Sequence, residues 1–243
     1  MTSRTPALIV TQAPVDPAGI VLVLHGGQED SRRRARRTQL AVLRMVPLAR
    51  TIAARSDRLV VLRLLYLVRG WNGSSASPVA DAEWALARAG QQYGADLPVA
   101  LVGHSMGGRT ALRVAGNPAV RSVVGLAPWL PVGEPTAQLA GRRVLIVHGL
   151  ADHTTEPRLS ATFAESLAGL AAQVSYVRVP GEKHSMLRRR ATVDGLAAGY
   201  VSATLLGADD CDRPNAGGPW QSETSSSANL LRRVLVGEPW LVA

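Results

Sequence analysis

From residue 20 onward, short apolar runs alternate with segments of helical pattern, and this alternation most narrows the folds open to the chain. Ile20–Leu24, Arg58–Tyr66, Pro98–Gly103, Val120–Leu126, Arg143–His148 and Gln173–Val179 are strand-length and mostly apolar. Such runs suit strands buried on both faces, as in parallel sheets. Between them, Thr38–Arg55, Pro78–Tyr93, Met106–Ala115, Pro157–Ala171 and Ala191–Leu206 read as helices. Pro78 stands at a first helical position with Ser77 as N-cap, whereas Pro47 is expected to kink or divide its helix. A βαβα order calls for a mostly parallel, twisted sheet with helices on both faces. A length of 243 residues suits one such domain, assigned to residues 1–207. Residues 208–243 carry Asp209-Asp210, Pro214, Gly217-Gly218 and Ser225 to Ser227, and read as a partly flexible C-terminal extension. Within it, Leu230–Val236 is expected to form a short helix, with Trp240 docking it onto the body.

Charge and cysteine content exclude several classes. The formal net charge is +9, but Lys183 is the only lysine, so nearly all the basic character is arginine. Together with abundant Ala, Gly, Val and Leu, that bias fits a GC-rich genome rather than a nucleic-acid-binding surface. No zinc-finger spacing or aromatic-interleaved basic stretch is present, so no nucleic-acid partner is expected. Cys211 stands alone, which rules out an intrachain disulfide. No apolar run is long enough to span a bilayer. Residues 1–17 lack the apolar core of a signal peptide, so a cytoplasmic location is the expectation.

Open parallel sheets place ligands beyond the carboxyl ends of their strands. At one such end stands Gly103-His104-Ser105-Met106-Gly107, a G-x-S-x-G pattern between an apolar strand and a helix. A sharp strand-to-helix turn needs small neighbours around the serine, which Gly103, Gly107 and Gly108 provide. An ordinary glycine-rich loop cradling a phosphate would look similar. The context favours Ser105 as a nucleophile.

A serine hydroxyl needs a base, and the base needs an orienting partner. His25 and His148 each precede a glycine and are expected to shape the rim of the site. His104 lies inside the elbow, where its ring should point away from Ser105. His153 follows an acidic residue but comes early in the chain. His184, in the loop Pro180 to Met186 after the last predicted strand, is the candidate base. Asp152, after Arg143–His148, is the candidate acid, with Glu156 as fallback. Asp152 could instead cap the helix that begins near Pro157. For an oxyanion, the backbone N–H of Met106 and that of Gly27, or next Gln28, in His25-Gly26-Gly27-Gln28 are placed to donate.

Ser105, Asp152 and His184 follow one another in the chain order of the α/β-hydrolases, which the sequence resembles over about residues 7–206. The resemblance rests on His25-Gly26-Gly27, Gly103 to Gly107, His148-Gly149 with Asp152, and Gly181 to His184. It implies an α/β-hydrolase fold, a Ser105–Asp152–His184 triad and oxyanion donors at Gly27 and Met106. Small esterases and dienelactone-hydrolase-like enzymes are similar in size, although the latter typically carry cysteine where Ser105 stands. The slot that often holds a cap domain, Ala127 to Gly141, is too short for one. An open site is therefore expected, bordered by Trp71 and Trp129, with Gln28 also facing substrate.

The expected activity is cleavage of a small-molecule carboxylic ester through an acyl-enzyme, with no cofactor and no metal. A thioesterase, an acyltransferase or a haloperoxidase-like enzyme would use the same triad, and a non-catalytic binding protein could share the fold. Arg32 to Arg34 with Arg36-Arg37, and Arg188 to Arg190, leave the catalytic edge and could attract anionic substrates.

Overall fold

The computed structural model describes residues 5–207 and 225–243. The strands are Ala7–Gln12 (β1), Gly19–Leu24 (β2), Leu59–Leu65 (β3), Val99–His104 (β4), Val120–Leu126 (β5), Arg143–Gly149 (β6), Gln173–Val179 (β7) and Trp240–Val242 (β8). Helices are Leu40–Arg55 (α1), Ser77–Tyr93 (α2), Met106–Arg113 (α3), Pro157–Ser166 (α4), Arg190–Leu206 (α5) and Ser225–Leu235 (α6). Among the described residues the strands form one sheet in the order β1-β3-β2-β4-β5-β6-β7-β8. Only β1 runs antiparallel, pairing with β3 at the edge. This is the α/β-hydrolase fold expected from the sequence.

Period-two alternation divides the buried strands between two helical layers. Leu22 and Leu24 of β2 join Leu62, Leu101 and Ile146 in a cluster covered by α2, α3 and α4. Val21 and Val23 point the other way, joining Val61, Val102 and Leu145 beneath α1, α5 and α6. Each such side chain contributes about 1.5–3 kcal/mol by leaving water.

Three sequence expectations are modified. First, α1 continues through Pro47 without dividing. Met45, Leu48, Ala49 and Ile52 around the proline are all buried. Their packing offsets a proline penalty of about 3 kcal/mol. Second, α4 stops at Ser166 rather than near Ala171, and the chain then turns through Gly169 at φ 76°. Third, β1 is not among the expected strands: its apolar run, Ala7 to Val10, is only four residues long, and it adds antiparallel to β3 at the sheet edge, where its residues are at most half-buried.

The described part of the C-terminal segment belongs to the same core. Leu230 and Val234 of α6 and Leu241 of β8 are buried in the cluster beneath α1 and α5. Trp240 docks against Tyr176, with ring centroids 5.3 Å apart. Of the residues read as a flexible linker, Asp209 to Gly218 lie outside the described residues, whereas Ser225 to Ser227 begin α6 and correct that reading.

The link between β5 and β6 contains a single short turn of 3-10 helix, Ala137–Leu139, and no helical cap. No helical insertion therefore caps the carboxyl ends of β4 and β5, although Ser105 at the end of β4 is only 9% exposed. The loops after β2, β4, β6 and β7 all emerge on that edge.

Candidate active site

Ser105 forms the corner between β4 and α3 at φ 56° and ψ −121°. A non-glycine residue held there stores strain of order 1–3 kcal/mol, which the surroundings must enforce. Two close approaches enforce it. A Cβ on Gly103 would collide with the Gly107 carbonyl, and one on Gly107 would collide with the carbonyls of Leu24 and His25. The Ser105 N–H donates to Leu126, and its carbonyl accepts from Arg109 and Trp129.

Asp152 follows β6 and is 5% exposed, so its carboxylate depends on protein donors. Oδ1 accepts the N–H groups of Thr154 and Thr155. Oδ2 accepts from Nδ1 of His184 at 2.8 Å, from the Thr155 hydroxyl at 2.7 Å and from Nε2 of His148 at 3.1 Å. Burial alone would raise the carboxyl pKa. The bonds from His148, His184, Thr154 and Thr155 outweigh it and hold the group well below the usual carboxylate range.

An ionised carboxylate only accepts, so Nδ1 of His184 carries a proton and Nε2 keeps its lone pair for another donor. Among the described residues, Nδ1 of His184 bonds to Asp152 and Thr155 and its carbonyl accepts from His104, and no hydrogen bond joins His184 to the Ser105 hydroxyl. In unliganded sites that contact is commonly long and tightens with substrate.

Other assignments fall into place around this pair. Glu156 caps α4 by accepting from the Arg158 N–H, so Asp152 is not the cap and Glu156 is engaged elsewhere. His153 is exposed. His148 does not shape a rim: it is fully buried behind Asp152, with Nδ1 2.8 Å from the Ser160 hydroxyl. His25 is also buried, donating from Nδ1 to the Gly26 carbonyl and accepting the Tyr66 N–H at Nε2. Burial lowers its pKa to about 4, against that backbone bond.

His104 turns its ring towards His184, with centroids 4.8 Å apart, and Nε2 donates to the His184 carbonyl at 2.7 Å. Burial, reinforced by repulsion from His184, lowers the His104 pKa to about 3. Thr155 escaped the sequence reading. The run Asp152-His153-Thr154-Thr155 has the form of an Asx turn, which would have signalled its approach to the carboxylate.

On the oxyanion side, among the described residues no turn, cap or side-chain hydrogen bond occupies the N–H of Gly27 or of Met106. The Gln28 N–H, by contrast, donates to the Arg69 carbonyl and is spent. A Cβ at Gly27 would strike that same carbonyl and the Met106 thioether, so the two loops touch here.

Trp71 is 4% exposed and forms one face of a stack. The Arg109 guanidinium lies 3.8 Å from the Trp71 ring and 4.7 Å from that of Trp129. Glu134, itself buried, pairs with Arg109 and Arg113 and fixes the stack. Trp129 is half-buried, and the Gln28 side chain is exposed. Arg32 to Arg34, Arg36-Arg37 and Arg188 to Arg190 are exposed as well. Among the described residues no cluster of His, Cys, Asp and Glu could hold a metal ion. No helix of the described residues is long and apolar enough to cross a membrane.

A family model described as the alpha/beta hydrolase family matches residues 20–238. No curated protein matches the sequence. Among solved structures, an alpha-beta serine hydrolase homologue from Coxiella burnetii is 16% identical, with TM-score 0.60 over 81% of this chain and 91% of that one. An α/β serine hydrolase without lid from Xanthomonas campestris is 20% identical, with TM-score 0.55 over 81% and 87%. A thermophilic esterase from Thermogutta terrifontis, bound to propionate, is 18% identical, with TM-score 0.61 over 83% and 90%. At these identities the likeness is one of fold.

Proposed function

Because this chain belongs to the alpha/beta hydrolase family, we propose that it is a serine hydrolase that cleaves small carboxylic esters through an acyl-enzyme. The observation that carries the proposal is the pairing of Asp152 with His184 at 2.8 Å through Nδ1, on the same sheet edge as a strained Ser105. That pairing leaves Nε2 free to act as a base.

In this mechanism Ser105 Oγ attacks the ester carbonyl while Nε2 of His184 takes the hydroxyl proton. The N–H groups of Gly27 and Met106 stabilise the oxyanion. As the tetrahedral intermediate collapses, the carbon–oxygen bond to the leaving alkoxide breaks and His184 gives it the proton. Water, deprotonated by the same Nε2, then attacks the acyl-enzyme and releases the acid and free Ser105. Asp152 keeps the imidazole in one tautomer and stabilises the imidazolium. No step calls for a cofactor or metal. Trp129 and Gln28 are the side chains proposed to meet substrate, with Trp71 supporting Trp129 through Arg109. The exposed arginine clusters support an anionic substrate class.

Labelling with a fluorophosphonate probe tests the proposal. The intact protein should be labelled at Ser105, and Ser105→Ala should lose both labelling and esterase activity while remaining folded. Ester turnover in Ser105→Ala at the parental rate would overturn the mechanism.

A further inference from the structure

We infer that Arg44 is a positioning residue for the base: its buried guanidinium grips the backbone just after His184 and aims that histidine at Ser105. The inference rests on the serine-hydrolase reading above.

Arg44 lies on α1, far in sequence from His184, and its side chain is only 6% exposed. Nε donates to the Ser185 carbonyl at 2.9 Å, and Nη2 reaches the Met186 carbonyl at 3.4 Å. The same Nη2 pairs with Oδ1 of Asp194 on α5 at 2.9 Å. His104 adds a third grip through the His184 carbonyl. Side chains from α1 and β4 thus hold three consecutive carbonyls, those of His184, Ser185 and Met186.

This segment needs holding. The Met186 N–H donates to the Lys183 carbonyl, closing a tight turn around His184. Met186 sits at φ 54°, a left-handed conformation that costs energy for a residue with a side chain. Its side chain is fully buried in the core, which anchors the turn from below. A role limited to tying α1 to α5 would need only the contact with Asp194. Two of the three contacts go instead to the loop that carries the base. The planar guanidinium presents its donors from separate nitrogens, Nε towards the Ser185 carbonyl and Nη2 towards Met186 and Asp194, whereas a lysine ammonium presents its three donors from one point and cannot span the same positions.

The test uses three variants of the full chain, two measured directly and a third, Arg44→Ala, for chemical rescue. Arg44→Lys keeps a cation opposite Asp194. The double variant Arg44→Met with Asp194→Leu removes both charges together and leaves no buried carboxylate unpaired. Hydrolysis of p-nitrophenyl acetate is measured beside thermal unfolding. Both variants should remain folded, with kcat reduced roughly 10-fold or more and KM nearly unchanged, as expected when a base is misaimed. Guanidinium at millimolar concentration should restore part of the activity of Arg44→Ala. A folded Arg44→Lys with parental kcat would overturn the assignment, as would losses that only track the unfolded fraction. Fluorophosphonate labelling of the parent separates the two readings. Failure to label strikes the serine-hydrolase reading, whereas normal labelling with unchanged Arg44→Lys turnover strikes Arg44 alone.

Discussion

Nε2 of His148 lies 3.1 Å from Oδ2 of Asp152, and both side chains are fully buried. The proposed triad acid therefore sits between two imidazoles, that of His184 on the side of the site and that of His148 on the side of the interior. With Asp152 ionised, His148 carries its proton on Nε2 and accepts the Ser160 hydroxyl at Nδ1. Replacing His148 by Ala removes one donor from a buried carboxylate and leaves the Ser160 hydroxyl only its long bond of 3.4 Å to the Pro128 carbonyl. A loss of about 2–4 kcal/mol is expected. For a chain of this size that lowers Tm by roughly 4–16 °C. Thermal unfolding of His148→Ala checks this, and an unchanged Tm would show that the bond contributes nothing.

Gly27→Ala isolates the oxyanion loop. The added methyl would strike the Arg69 carbonyl and the Met106 side chain, so the Gly27 N–H must move. Loss of one oxyanion donor typically lowers kcat by about 10²–10³. Steady-state kinetics should show that fall with KM little altered. A Gly27→Ala enzyme with normal kcat would remove Gly27 from the mechanism.

Acid should destabilise the fold through His25 and His104. Their pKa values are lowered from 6.5 to about 4 and about 3, chiefly by burial. Between the folded and unfolded values the unfolded chain binds more protons, so stability rises with pH across that window. Stability present above about pH 6.5 is thus lost progressively as pH falls towards 4 and below. Asp152, whose pKa is also lowered, adds a loss of the same sign below its unfolded value near 3.8. Denaturant titrations between pH 7 and pH 4, spanning roughly the histidine range, should show this slope. It should flatten in His104→Gln, and an equal slope there would exclude His104 as a source.

Salt should test whether the exposed arginines steer anionic esters to the proposed active site. The arginines at 32–34, 36–37 and 188–190 are exposed, and the chain carries a formal net charge of +9. If they steer substrate, kcat/KM for a carboxylate-bearing ester falls as ionic strength rises, while a neutral ester responds little. Parallel salt curves for the two esters would rule out steering.

Chain order and periodicity were enough to read the sheet class, most of its strands and the loops at its carboxyl edge. Those signals are local: strand burial is written in runs such as Val120–Leu126, and the elbow in the glycines around Ser105. The approach of Asp152 to His184 was legible for the same reason, since each lies in a loop that follows a predicted strand whose end defines the edge. Contacts that depend on how layers close over one another were not legible. The half-buried strand β1 and the short strand β8 are defined by partners elsewhere in the sheet. His148 behind the carboxylate and Arg44 gripping the His184 turn are likewise decided by tertiary packing, whereas Thr155 is set by the local turn that begins at Asp152. Arg44 illustrates the difference: in sequence it is one more arginine in an arginine-rich chain. Only the packing of α1 against α5 buries its guanidinium, and burial without water makes each carbonyl and carboxylate around it an obligatory partner.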